Sequence, residues 1–81
     1  MISRLQKEPK VVGVKQSRRA ILEGKAIQVF LAQDADPKIT EPLEKICAEH
    51  KVPVQMVSSM KSLGEACRIS VGAAVAALVK A

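Results

Sequence analysis

Ile27-Gln28-Val29-Phe30-Leu31-Ala32 followed by Gln33-Asp34-Ala35-Asp36-Pro37 is the stretch on which the fold turns. Its first six residues are almost continuously apolar, the pattern of a strand buried on both faces in the middle of a sheet. The next five read as a turn that opens a helix, because an aspartate ahead of proline supplies a cap and a preset first helical residue. Thr40 before Glu41-Pro42 offers a second cap, so two starts are open. Ile39, Leu43, Ile46, Cys47 and His50 then recur at three- and four-residue spacing, which predicts one buried helical face packed on the sheet.

Upstream, Val11 to Val14 is short and β-branched, and Lys15 to Glu23 is helix-forming, with Gly24 as its stop. Downstream, Val52 to Val57 predicts a third strand with Pro53 near its start, where a missing amide matters least. Ser58 or Ser59 caps a helix whose buried side is Met60, Leu63, Ala66 and Cys67, and Arg68 to Gly72 is a connecting loop. Ala73 to Val79 is ambiguous: its alanines favour helix and its valines favour a buried strand. Strands and helices alternating at this spacing predict a small α/β layered domain, and 81 residues accommodate one.

The net charge of +5 is gathered at one end. Seven Lys/Arg among the first 25 residues (Arg4, Lys7, Lys10, Lys15, Arg18, Arg19 and Lys25) face only Glu8 and Glu23, whereas six basic residues balance six acidic ones from Ala26 onward. Such asymmetry points to a polyanionic partner rather than to general solubility. At 48% hydrophobic and 26% charged the chain is too apolar for a disordered tail. Met1 to Lys10 has no apolar run of signal-peptide length and Val71 to Val79 is far short of a membrane span, so a reduced cytoplasmic setting is expected. Cys47 and Cys67, 20 residues apart with only His50 as a nearby ligand type, lack metal spacing and read as core residues.

Phe30 is the only aromatic residue, which argues against binders that stack successive bases on rings. Any nucleic-acid contact has to use charge, backbone and polar groups. Lys15, Gln16 and Arg19 can form one polar patch near a helix N-terminus, whose amides attract phosphate, while Gly13 permits close backbone approach. The Lys/Arg run alone reads equally well as a solvated face. Gln16 discriminates, because an amide with donors and an acceptor can read a base edge. Asp34 and Asp36 are explained more simply as capping groups than as acid-base or metal-binding carboxylates, and His50 has no nucleophile in a recognisable motif. In the loop, Ile69 and Val71 are either tucked inward or an apolar surface that receives an unstacked base.

Taken in order, Gly13-Val14-Lys15-Gln16-Ser17-Arg18-Arg19-Ala20-Ile21, Gly24, Ala32-Gln33-Asp34-Ala35-Asp36-Pro37, Val52-Pro53-Val54, Ser59 to Cys67 and Ile69 to Ala74 resemble the ribosomal-protein L-seven-Ae / L-thirty-e family. Members of that family bind kink-turn RNA, and the chain is most similar to the short bacterial ones. The resemblance implies a three-layer α-β-α sandwich with a mixed four-stranded sheet, in which Ala73 to Val79 is a strand. It also implies that Gly13, Lys15, Gln16 and Arg19 dock on tandem sheared G·A pairs. Asp36, Ile69, Ser70 and Val71 would surround the flipped-out loop nucleotide, with Lys61 near its backbone. Archaeal and eukaryotic relatives show Asn-Glu where this chain has Lys15-Gln16, Lys where it has Met60 and Gly where it has Arg68.

The expectation is thus a single domain over residues 1–81 that binds RNA without catalysing a reaction or using a cofactor or metal, and acts as a monomer. Its RNA would be a kink-turn in ribosomal RNA, a riboswitch or another structured RNA. The alternative is a ribosome-associated protein-interaction module that touches RNA nonspecifically.

Overall fold

The structure, a computed structural model, describes residues 8–80; Arg4 and Lys7 of the basic cluster lie outside them, as does most of the segment weighed as a leader. Among the described residues the order is β1 (Lys10–Val12), α1 (Val14–Leu22), β2 (Ala26–Ala32), α2 (Pro37–Glu49), β3 (Val54–Val57), α3 (Met60–Ala66) and β4 (Val75–Val79). The strands form one mixed sheet in the order β1-β4-β2-β3. β4 is antiparallel to both β1 and β2, and β2 is parallel to β3.

Side chains alternate across the sheet with the two-residue period of a strand, and each face has its own core. Val29 and Leu31 of β2 join Val75 and Ala77 of β4 beneath α1 and α2, which contribute Ile21, Leu43 and Cys47. Phe30 and Ala32 join Ala76 and Leu78 on the opposite face, covered by Leu63 and Ala66 of α3 together with Cys67. This is the three-layer α-β-α sandwich with its mixed four-stranded sheet. Ala73 to Val79 resolves as strand from Val75 because it fills a slot between two strands, where the buried alanines admit helices close on both sides.

Several local expectations need correction. Val14 begins α1 rather than ending β1, because Gly13 at φ 108 turns the chain and its carbonyl accepts the first helical bond from Ser17. Asp36, not Thr40, caps α2: its carboxylate accepts from the Lys38 amide and Pro37 is the first helical residue. The buried stripe of α2 is Thr40, Leu43 and Cys47, which rotates Ile39 to the surface. His50 is exposed as well, since the helix has already ended there and Lys51 at φ 58 reverses the chain. Met60 is 36% exposed, because it opens α3 at the rim of the sheet.

The end of α1 follows its sequence signal. The Gly24 amide donates to Ile21 and the Lys25 amide to Ala20, the paired bonds of a Schellman stop, and Gly24 adopts the left-handed φ of 72 that this motif requires. Arg68 holds a similar φ of 62 without being glycine. It stands at the turn that starts the loop into β4.

Candidate functional site

Four segments meet at one end of the sheet, and backbone hydrogen bonds run across that end from one to the next. Gly13 N–H donates to the Val75 carbonyl at 2.9 Å, tying the start of α1 to the start of β4. Ala32 N–H donates to Ala74 at 3.0 Å, and Gln33 N–H to Val57 at 2.8 Å. The turn after β2, the turn after β3, the α3–β4 loop and the N-terminus of α1 are thereby neighbours. Four strands at ordinary spacing give this end a width of roughly 14 Å.

On one flank, Gly13, Lys15 and Gln16 surround the first turn of α1. No side chain caps that turn, and no acidic residue lies in it, so its amides and partial positive charge face outward. Gly13 is needed twice over. Its φ of 108 lies in the left-handed region, and a Cβ there would stand 2.8 Å from Gln16 Oε1, so the glutamine amide folds back over the glycine. Behind this patch Ser17 is fully buried, and its hydroxyl has no hydrogen-bond partner.

Arg19 lies a turn further along the exposed side of α1, and its Nε contacts Glu23 Oε2 at 3.1 Å. Lys25 Nζ reaches the other oxygen of Glu23 at 3.4 Å. The hydrogen bond from Arg19, then that from Lys25, holds the Glu23 carboxyl below the usual carboxylate range. Beside it runs a shallow groove of about 340 Å³ whose lining includes Val11 of β1, Gln16, Arg19, Glu23, Lys25 and Lys80. Sequence reading grouped Lys25 with the basic N-terminal charge but did not place Lys80 near it. The bond from Lys80 N–H to the Lys25 carbonyl, across 55 positions of chain, brings them together.

On the other flank, the loop from Arg68 to Gly72 is laid against α3. Ile69 N–H donates to Gly64 at 3.1 Å and Ala73 N–H to Met60 at 3.0 Å. Ile69 turns inward to the core under α3, whereas Ser70 and Val71 are exposed, Val71 by 68%. Of the two apolar loop residues, one is thus packed inward and the other lies on the surface. Lys61 is exposed at the start of α3, and Asp36 is exposed at the start of α2. Gly13, Lys15, Gln16, Asp36, Lys61 and the loop Ile69-Ser70-Val71 therefore belong to the segments that meet at this end, and Arg19 continues the Lys15–Gln16 face along α1.

Sequence reading missed two contributors. The sequence groups Asp34 with Asp36 as capping carboxylates, yet Asp34 Oδ1 accepts from the distant Met60 amide at 2.7 Å. Gly64 was read only as part of a helix, yet a Cβ there would run into the Val71 carbonyl. Neither has a signature in spacing, because both contacts join segments distant in the chain.

Among the described residues no group of three or more His, Cys, Asp or Glu is placed to hold a metal, and no helix is long and apolar enough to cross a membrane. Cys47 and Cys67 are buried free thiols, and burial pushes both upward in pKa, reinforced at Cys47 by Glu44.

The architecture and its loop-bearing end define a small α-β-α sandwich that presents a glycine-started helix and an apolar loop side by side. The chain belongs to the ribosomal protein L7Ae/L30e/S12e/Gadd45 family, whose sequence model matches residues 2–81. It is 50% identical over 76 residues to an RNA-binding protein of Geobacillus sp. (strain WCH70), covering 94% of this chain and 93% of that one. It is 49% identical over 70 residues to the RNA-binding protein YbxF of Geobacillus stearothermophilus, covering 86% of this chain and 85% of that one. Among solved structures, the Giardia lamblia 15.5kD RNA binding protein superposes with a TM-score of 0.85 at 33% identity. That match covers 99% of this chain and 66% of the Giardia protein.

Proposed function

We propose that this protein binds RNA at the loop-bearing end of its sheet and stabilises the sharply bent form of a kink-turn, without catalysing a reaction. The observation that carries the reading is the hydrogen-bonded row of four segments, which sets a polar, uncapped helix start beside an apolar loop. The family and the RNA-binding names of its close relatives support the RNA partner. The geometry supports the kink-turn: a bent RNA presents base edges and a displaced nucleotide at the same time, and one surface here offers a partner for each.

In this reading Gly13 lets the backbone of α1 approach the sheared G·A pairs, Gln16 and Lys15 meet base edges, and Arg19 meets a base or phosphate. Asp36, Ser70 and Val71 enclose the flipped-out nucleotide, Ile69 anchors that loop to the core beneath it, and Lys61 meets the nucleotide's backbone. The protein acts as a monomer by population shift, since a partner that fits only the bent conformer enriches it. Titration into a kink-turn duplex labelled at both ends tests this by distance. A shortening with the native motif, absent when the G·A pairs are replaced, is expected. Equal binding to both RNAs without bending would instead indicate nonspecific, charge-driven contact.

A further inference from the structure

Met60 joins three of the four segments through its own backbone N–H and carbonyl. Its N–H donates to Asp34 Oδ1 at 2.7 Å, and its carbonyl accepts from Ala73 N–H at 3.0 Å. Gly72 lies so close that a Cβ there would stand 3.2 Å from Met60 Cβ. The N-cap of α3 is already made by Ser59, whose Oγ accepts from the Ser62 amide at 3.0 Å. Asp34 is therefore additional to the ordinary cap, and it comes from a turn 26 residues away. Asp36, two positions on, uses its own carboxylate on the Lys38 amide at 2.9 Å. One aspartate sets the start of α2, and the other fixes the turn that carries it to α3 and the loop.

An exposed carboxylate at the RNA-facing end of a basic protein repels phosphate, so its presence there calls for a compensating role. A charge-assisted bond to a backbone amide is such a role, being short and directional. We infer that Asp34 is a positioning residue for RNA recognition. Acting through the Met60 peptide, it sets the gap between the turn bearing Asp36 and the loop Ile69-Ser70-Val71, so that this gap fits one unstacked nucleotide. The inference rests on the kink-turn reading above and adds to it the element that holds the two walls in register.

The test compares wild type, Asp34→Ala and Asp34→Asn on two RNAs: a kink-turn, and the same kink-turn made abasic at the flipped-out position. Asparagine keeps an oxygen that accepts the Met60 N–H and removes the charge that repels phosphate, so Asp34→Asn is expected to bind both RNAs at least as tightly as wild type and by the same factor on each. Asp34→Ala is expected to bind the intact kink-turn about tenfold more weakly, as loss of one cap-type bond implies, and the abasic RNA equally well. Equal losses on both RNAs, no loss on either, or the same loss with asparagine would overturn the inference. Hydrogen exchange of the Met60 amide in wild type gives a readout that no variant's folding can obscure. The intact RNA is expected to protect it more than the abasic RNA does, and equal protection counts against the proposal. If wild type shows no preference for a kink-turn over a duplex lacking G·A pairs, the underlying reading fails; if the preference holds and the abasic contrast is missing, only the role of Asp34 fails.

Discussion

The Val71 carbonyl oxygen occupies the space where a side chain on Gly64 would be, so the loop into β4 lies directly on the backbone of α3. The contact is between two backbones, and neither can yield by rotating a side chain.

Gly64→Ala is accordingly expected to invert the usual helix result. In an exposed helix alanine gains about 1 kcal/mol over glycine, but here the added methyl displaces the loop at a cost of about 1–3 kcal/mol. Urea unfolding should show a lower midpoint, and RNA affinity should fall with it because Ile69 to Val71 move.

Gln16→Ala is expected to weaken kink-turn binding by about 1–3 kcal/mol, the range for losing a good base-edge contact, and to leave a plain duplex unaffected. Gly13→Ala should do more, since it meets both the Gln16 amide and an unfavourable φ. Parallel titrations on both RNAs check this, and equal weakening would remove Gln16 from base readout.

Lys25 and Lys80 flank the groove along α1, and replacing both by alanine is expected to lower the salt slope of RNA binding. For single phosphate contacts the slope should drop by about 0.7–0.9 per lysine, with the preference for kink-turn over duplex unchanged. Affinities measured across a salt series give the slope directly.

Arg68 holds a left-handed φ of 62 with a side chain that disfavours it. Arg68→Gly is expected to relieve that strain and stabilise the fold by about 0.5–1 kcal/mol, read as a raised thermal midpoint.

Burial raises both thiol pKa values, so in the folded state Cys47 and Cys67 stay neutral to higher pH than in the unfolded chain. The unfolded state loses its thiol protons first, and stability should therefore decline as pH rises past the ordinary thiol range. Below that range the thiols contribute no pH dependence. Alkylation at neutral pH should be slow in native protein and fast in urea, with the unfolding midpoint falling between neutral and alkaline buffers.

Much of the architecture was legible in local pattern. The apolar run through Phe30 is a central strand, Asp36-Pro37 opens a helix, and Gly24 ends one, because each signal acts between residues close in the chain. Met60, Ile39 and His50 were misjudged for the opposite reason: spacing gives the stripe of a helix but not where that helix meets the edge of the sheet. The patch at Lys15 and Gln16 was visible as residue types. Its connection to Asp36 and Val71 was not, since it depends on bonds such as Gly13 to Val75 and Asp34 to Met60, which join distant positions.

Among the described residues β4 comes last of the four strands, yet it sits in the interior of the sheet, bonded to β1 on one side and β2 on the other. During synthesis, then, the first and second strands have no shared neighbour until Val75–Val79 has left the ribosome. The pairing of each with β4 joins positions far apart in the chain, the kind of contact whose loop closure is slow. A nascent chain ending before Val75 would carry the basic face without the wall opposite it. The loop-bearing end of the sheet is thus complete only once β4 is in place.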